Sequence, residues 1–295
     1  MGYSQKMKEK RILLAIALNG LIALAEVLGG ILSGSLALLS DALHNVSDLL
    51  SLGISYGALR LSRRNGTTHR TFGLKRAEIL AAFLNSSLLI SLSLFLFREA
   101  YLRFSHPSPI KGGMMLVVAF FGLLANLMAM KVLQGESHGS LNIRSAYLHL
   151  LGDTLSSVAV VGGALILMVR PLFWLDPLLT FLIALFILKE AVVLLKESTE
   201  ILLQTVPQDL DLERVRNRVE EHPEIALLHH VHAWSLVDGE IHFEGHLAFR
   251  NNLPLREADQ VRGEIEELLK REFGVSHVTL QSEYQSCQGN GFIEE

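Results

Sequence analysis

Six apolar stretches, separated by short polar or glycine-containing breaks, fill the first two thirds of the chain. They run approximately Ile12 to Leu32, Leu36 to Leu61, Ala77 to Leu102, Met114 to Leu133, Ser145 to Met168 and Trp174 to Leu195. Each has the roughly 20 residues that a helix needs to cross the hydrocarbon core of a bilayer. Beyond Thr205 the pattern becomes that of a soluble domain. Leu212, Val215 and Val219 recur at helical spacing up to His222-Pro223, and Ala226 to Val237 and Glu240 to Arg250 read as strands joined by Asp238-Gly239, a two-residue hairpin signal. A second helix is expected from Leu255 to about Phe273, with Val261, Ile265, Leu268 and Leu269 as its stripe, and a last strand from His277 to about Tyr284. The expected fold is an α-helical membrane bundle of six transmembrane helices, residues 1–204, followed by a small α+β domain in the order α-β-β-α-β, residues 205–295.

The hairpin predicts a register: Val237 opposite Glu240, Leu236 opposite Ile241 and Val231 opposite His246. Side chains alternate, so Trp234 and Leu236 should share the core face with Ile241, Phe243, Leu247 and Phe249, and His230 and His232 should point the same way. His229, His242 and His246 fall on the other, exposed face, with His229 diagonal to His246.

Composition adjusts this picture in three ways. The chain is 50% hydrophobic yet 19% charged, and the charge gathers after the apolar runs, as expected for a membrane domain joined to a soluble one. A net charge of -4 gives no electrostatic footprint for nucleic acid. Cys287 is the single cysteine, which leaves no disulfide framework and no Cys-x-x-Cys metal motif. Lys6, Lys8, Lys10 and Arg11 precede the first span in the manner of a signal peptide, but that span is too long for one and is read as retained. Arg60, Arg63, Arg64, Arg70, Lys75 and Arg76 join spans two and three, whereas Ser33-Gly34-Ser35 carries no charge. The basic side is placed in the cytoplasm, and an even number of spans then puts both termini and the soluble domain there too; Arg103, Lys111 and Arg170 are a weaker, contrary signal.

Within the oily helices one pattern occurs twice, His44-x-x-x-Asp48 and His149-x-x-x-Asp153. Residues four apart share a helix face, so each copy offers an imidazole and a carboxylate to one point. A single histidine in an apolar helix is as readily a packing residue as a ligand. Two repeats, with the membrane cost of four ionisable groups, point to a metal site: two nitrogens and two oxygens suit a tetrahedral ion such as Zn2+. Asp41, one turn earlier, has three open readings: a gate, a carboxylate orienting an imidazole, or a residue of the membrane interface. Glu26 and Asn45 are expected to hydrogen-bond between helices, and Lys189 and Glu190 to snorkel.

These motifs resemble those of the cation diffusion facilitators, in particular bacterial zinc/cobalt/cadmium efflux proteins. The likeness covers Asn19 to Glu283. It rests on Ser33-Gly34-Ser35-Leu36-Ala37-Leu38-Leu39-Ser40-Asp41-Ala42-Leu43-His44-Asn45-Val46-Ser47-Asp48, on Thr71-Phe72-Gly73 with Arg76-Ala77-Glu78-Ile79-Leu80-Ala81-Ala82, and on His149-Leu150-Leu151-Gly152-Asp153. Asp176-Pro177, His232-Ala233-Trp234 and His277-Val278-Thr279-Leu280-Gln281-Ser282-Glu283 belong to it as well. The resemblance implies a homodimer in the bilayer that exchanges cytoplasmic Zn2+ for protons through a four-ligand site between spans two and five, with a metallochaperone-like cytoplasmic domain. It adds Glu283 and His277 to His229 and His246 as ligands of a second, regulatory zinc site. No catalytic cofactor is expected, Zn2+ being substrate and regulatory ligand, with Co2+ and Cd2+ as further substrates. The loop from Ser62 to Lys75 holds only His69 and no acidic residue, so a further site that some relatives carry there is not expected; His138 alone marks the segment between spans four and five, which argues for a prokaryotic inner-membrane protein. Two other classes fit less well. A membrane zinc hydrolase needs an open coordination position and a general base, and there is no His-Glu-x-x-His; a membrane-anchored metal sensor leaves the buried ligand set unexplained.

Overall fold

The computed structural model describes residues 20–62, 64, 66–134, 141–284 and 291–293. The start of the first expected span, Arg63, His138 and Cys287 lie outside these residues. Helices stand where the apolar runs were: α1 (Gly20–Ser33), α2 (Leu36–Ser62), α3 (Ala77–Ser105), α4 (Gly112–Gln134), α5 (Leu141–Val169) and α6 (Leu175–Leu202). Among the described residues, three stretches, in α3, α5 and α6, are long and apolar enough to cross a membrane by length and composition. After them come α7 (Leu212–Glu220), β1 (Ile225–Val237), β2 (Glu240–Phe249), α8 (Leu255–Phe273) and β3 (His277–Glu283). The chain forms two compact units, one of residues 1–56 and 84–195, the other of 57–83 and 196–295.

In the first unit, Ala37, Leu38, Met115, Val160, Ala164 and Ile187 belong to a buried core. Large apolar side chains such as Leu24, Phe120, Phe121 and Leu182 are exposed, as expected of helices surrounded by lipid. The break between α1 and α2 is made by Gly34, whose φ of 76° lies in the left-handed region that glycine enters without a steric penalty. Its N–H and that of Ser35 donate to the carbonyl of Gly30 at 3.0 and 3.1 Å, closing α1. The amino end of α2 is then met by Asp176, from the first turn of α6. Its carboxylate accepts from the Ser35 hydroxyl at 2.5 Å and from the N–H groups of Leu36 and Ala37 at 2.8 and 3.2 Å. A helix start leaves N–H groups unsatisfied, and no water reaches this one: Asp176 is fully buried.

In the second unit the soluble domain has the expected element order. The sheet runs β1-β2-β3; the first pair is antiparallel through a turn at Gly239 (φ 73°), and β3 is parallel to β2 after a crossover through α8. Helices α7 and α8 supply Val215, Val219, Ile265 and Leu269 to a core with Leu228, Val231, Ala233, Phe243 and Leu247 of the sheet.

The expected register fails after its first pair. Val237 does face Glu240, but Ser235 stands opposite Ile241, Trp234 opposite His242 and His229 directly opposite His246. Irregularities between Ser235 and Val237 and between His229 and His232 insert extra residues into β1, and each reverses the alternation beyond it. Trp234 accordingly leaves the core face and stacks on His242, with ring centroids 5.5 Å apart. His232, opposite Glu244, and His230, whose ring packs on those of His232 and His246 at 5.0 and 4.7 Å, likewise lie on the outer face rather than on the core side.

Asp176→Ala should remove the acceptor of three buried donors and lower the stability of the detergent-solubilised protein by about 2 kcal/mol or more. A thermal midpoint equal to that of the parent would show that the cap contributes nothing.

Candidate metal centre

Polar residues of α2 and α5 lie along matching stripes. Asp41, His44 and Asp48 recur three and four apart on α2; Asp153, Ser156 and Ser157 do so on α5, ahead of the apolar Val160, Ala164 and Leu167. The stripes meet. His44 Nε2 lies 3.3 Å from Asp153 Oδ1 and 3.6 Å from Asp48 Oδ2, and the donor atoms of the three residues lie within 4.8 Å of one another. Ligands about 2.0 Å from a tetrahedral ion stand roughly 3.3 Å apart, so this spacing needs little adjustment to take one. His44 and Asp153 are buried, at 5% and 6% exposure, whereas 27% of the Asp48 side chain is open. The group therefore has a closed side and an accessible one. His149 stands on α5 one turn before Asp153, and its side chain lies outside the described residues.

Asp41 is fully buried in the seam between the same two helices. It accepts hydrogen bonds from the Ser156 hydroxyl and, at 3.1 Å, from that of Ser157, which in turn accepts from Asn126 Nδ2 of α4 at 3.1 Å. Its partners are serine hydroxyls that join α2 to α5 beside the candidate ligands. Ser156, Ser157 and Asn126 carried no signal as single residues, although the serines follow Asp153 by three and four positions on one face. Asn45 Nδ2 donates to Glu26 Oε2 at 2.8 Å, the interhelical bond expected of the pair. The other oxygen, Oε1, lies 1.9 Å from the place a Cβ would take at Gly122, so a side chain there would require the Glu26 carboxylate to move.

A second cluster forms in the soluble domain. Glu283 Oε1 is 2.8 Å from His246 Nδ1, its Oε2 is 3.4 Å from His229 Nε2, and the three donor sets lie within 4.8 Å of one another. Direct pairing of His229 with His246 and the placement of Glu283 opposite Ala248 bring them together. His277 does not join them. It begins β3 while Glu283 ends it, a separation of roughly 20 Å along an extended strand, and its ring packs against His242 at 5.0 Å. His230 comes close instead, because the irregularity in β1 holds it at a φ of 50° with its ring over His246. Its N–H and that of Val231 donate to the carbonyls of Gly291 and Phe292 at 3.3 and 2.9 Å. That contact is far off in sequence, so nothing in β1 itself announced it. Burial pushes the His246 imidazole below the ordinary histidine value; Glu283 opposes this, and His230 and His229 add to it.

Comparison with known proteins matches nearly the whole length of the chain to one family. Residues 12–203 match the model of the cation efflux transmembrane domain, and residues 207–285 that of the cation efflux protein cytoplasmic domain. The chain belongs to the cation efflux family. This efflux protein is 37% identical over 280 residues to the metal cation efflux system protein CzcD of Cupriavidus metallidurans, covering 95% of the present chain and 88% of that one. It is 38% identical over 282 residues to the zinc transporter ZitB of Escherichia coli, covering 95% and 89%. A cadmium, cobalt and zinc/H(+)-K(+) antiporter of Bacillus velezensis is 35% identical over 260 residues, covering 88% and 83%. The protein is thus a membrane transporter with a cytoplasmic domain, and not an enzyme.

A lowered pKa means that the folded domain holds fewer protons than the unfolded chain near pH 6.5. The stability contributed by His246 is therefore present above that pH and is lost as the pH falls toward the folded value. In the metal-free domain, His246 should titrate below 6.5 by NMR, and lower still in Glu283→Gln. A value above 6.5 would contradict the burial of the ring.

Proposed function

We propose that the protein exports Zn2+ from the cytoplasm in exchange for protons, by alternating access through a site of His44, Asp48, His149 and Asp153 between α2 and α5. The observation that carries this reading is the convergence of one imidazole nitrogen and two carboxylate oxygens at coordination spacing inside apolar helices. His149 enters by its place in the repeated pattern. Six spans, both termini in the cytoplasm, a prokaryotic inner membrane and a homodimer complete the reading. It is supported by the apolar runs, by the basic loop between α2 and α3, and by the match of residues 207–285 to the family's cytoplasmic domain.

The chemistry of exchange follows from the ligands. Neutral imidazole binds zinc and protonated imidazole does not, and the ordinary histidine pKa of about 6.5 lies close to physiological pH. Zn2+ and protons compete for the same atoms, so a site that loads zinc at neutral cytoplasmic pH releases it to a more acidic outside and returns protonated. Two imidazoles with two carboxylates favour Zn2+ over Mg2+ or Mn2+, which take more oxygen ligands; Cd2+ and Co2+ are accepted more readily, in line with the name of the Bacillus velezensis relative. In the soluble domain, residues 205–295, Zn2+ held by His229, His246 and Glu283 acts as a regulatory ligand that favours one conformation by differential binding.

Asp48→Ala or Asp153→Ala should abolish zinc flux into sealed proteoliposomes while the protein elutes as a folded species in detergent. Parent-level flux in either variant would sink the assignment. Replacing His44 by Asp makes the site richer in oxygen, and competition flux should shift from zinc toward cadmium or manganese. His229→Ala combined with His246→Ala should move the zinc dependence of transport without eliminating it; an unchanged zinc dependence would leave the domain a passive dimerisation module.

A further inference from the structure

The motif Thr71-Phe72-Gly73 followed by Arg76-Ala77-Glu78 takes no part in either candidate metal cluster, yet its Phe72, Gly73, Arg76 and Ala77 line a cleft of about 490 Å3 in the second unit. One wall is the first turn of α3, with Ala77 and Leu80; another is the end of α6 at Leu202; the third is the end of β1, with Trp234 and Leu236. The lining is mostly apolar, with Lys75, Arg76 and Gln204 as its polar side chains. Lys75 is answered, since its Nζ donates to Glu240 at 2.6 and 2.8 Å and in doing so holds that carboxyl below the usual carboxylate range. Arg76 is not: its Nε is enclosed and has no hydrogen-bond partner among the described residues.

We infer that this cleft binds an anionic phospholipid of the cytoplasmic leaflet, with the phosphate on Arg76 and an acyl chain along Leu80 and Leu202. Three features select this occupant. The guanidinium presents a planar fork of donors that matches phosphate oxygens, and an enclosed N–H needs an acceptor. Arg76 stands immediately before Ala77, where the apolar run of α3 begins, and on the topology proposed above that end of the helix meets the phosphates of the cytoplasmic leaflet. The apolar walls would strip water from a free phosphate without replacing it, whereas they suit acyl methylenes; Leu80, half exposed, continues them outward. The volume lies within the usual range for an organic ligand. A zwitterionic lipid would bring its own cation next to Lys75 and Arg76, so the site discriminates by headgroup charge.

The two tryptophans supply the test. Trp234 lines the cleft, and Trp174 precedes the opposite end of α6. The full-length Trp174→Phe protein, reporting from Trp234 alone, is reconstituted in vesicles containing equal mole fractions of brominated phosphatidylglycerol or brominated phosphatidylcholine. Quenching of Trp234 should be several-fold stronger with the anionic lipid, should survive excess inorganic phosphate, and should become equal for the two lipids in Arg76→Gln. In the Trp234→Phe protein, Trp174 should be quenched equally by both. Equal quenching of Trp234 in the parent background, or a preference that persists in Arg76→Gln, would overturn the proposal. So would a preference abolished by phosphate, which would assign the site to a small anion. If Arg76→Gln does not fold, the comparison of the two lipids at Trp234 and at Trp174 in proteins that keep Arg76 still decides, because an anionic preference shared by both tryptophans would also overturn it.

Discussion

A carboxylate inside an apolar helix bundle must be met by donors or by a cation, because neither water nor lipid will supply them. The first unit answers this demand at each position in a different way, and the differences assign roles. Asp176 is satisfied by the first N–H groups of α2 and the Ser35 hydroxyl, so it works as a helix cap that ties α6 to α2. Asp41 takes two serine hydroxyls and ties α2 to α5. Glu26 takes an amide from Asn45, the residue after His44. Asp48 and Asp153 are gathered with the His44 imidazole, their donor atoms within 4.8 Å of one another, which is the geometry on which the proposed metal site rests. Carboxylates that look alike in composition are thereby divided between architecture and chemistry.

The structural carboxylates also prepare the chemical ones. Asp41 and His44 are less than one turn apart on α2, and the serines that bind Asp41 follow Asp153 on α5 by three and four residues. The hydrogen bonds that hold the two helices together are thus made within a turn of the atoms that must converge. A shift between α2 and α5 would disturb both at once.

The soluble domain obtains its cluster by a different device. A regular strand would send His229, Val231 and Ala233 to one face and His230 and His232 to the other. The irregularity in β1, held by hydrogen bonds to Gly291 and Phe292, puts Val231 and Ala233 in the core and His229, His230 and His232 outside it. A left-handed backbone at a residue other than glycine is costly, and it persists where the surroundings over-determine it. Here it gathers imidazoles around Glu283 while leaving the hydrophobic layer intact.

By itself the sequence determined what depends on local periodicity and on length. Apolar runs, the repeated His-x-x-x-Asp spacing, the helix–strand order of the domain and the Asp-Gly turn are properties of neighbouring residues; among the described residues the helices and strands stand where the pattern put them, and three of the helices are of spanning length and hydropathy. The element order and the two His-x-x-x-Asp pairs of the candidate centre were legible in this way. Only the tertiary structure decided which helix meets which, and so which distant side chains answer one another: Asp153 with His44, Ser156 and Ser157 with Asp41, Asp176 with the start of α2. It also decided the strand register, since a single extra residue reverses every side chain beyond it and the contacts that favour the extra residue come from 291–293. For the same reason His230 approaches His246, His277 stays at the far end of β3, and Arg76 faces an apolar cleft: each placement is fixed by long-range packing that no local spacing encodes.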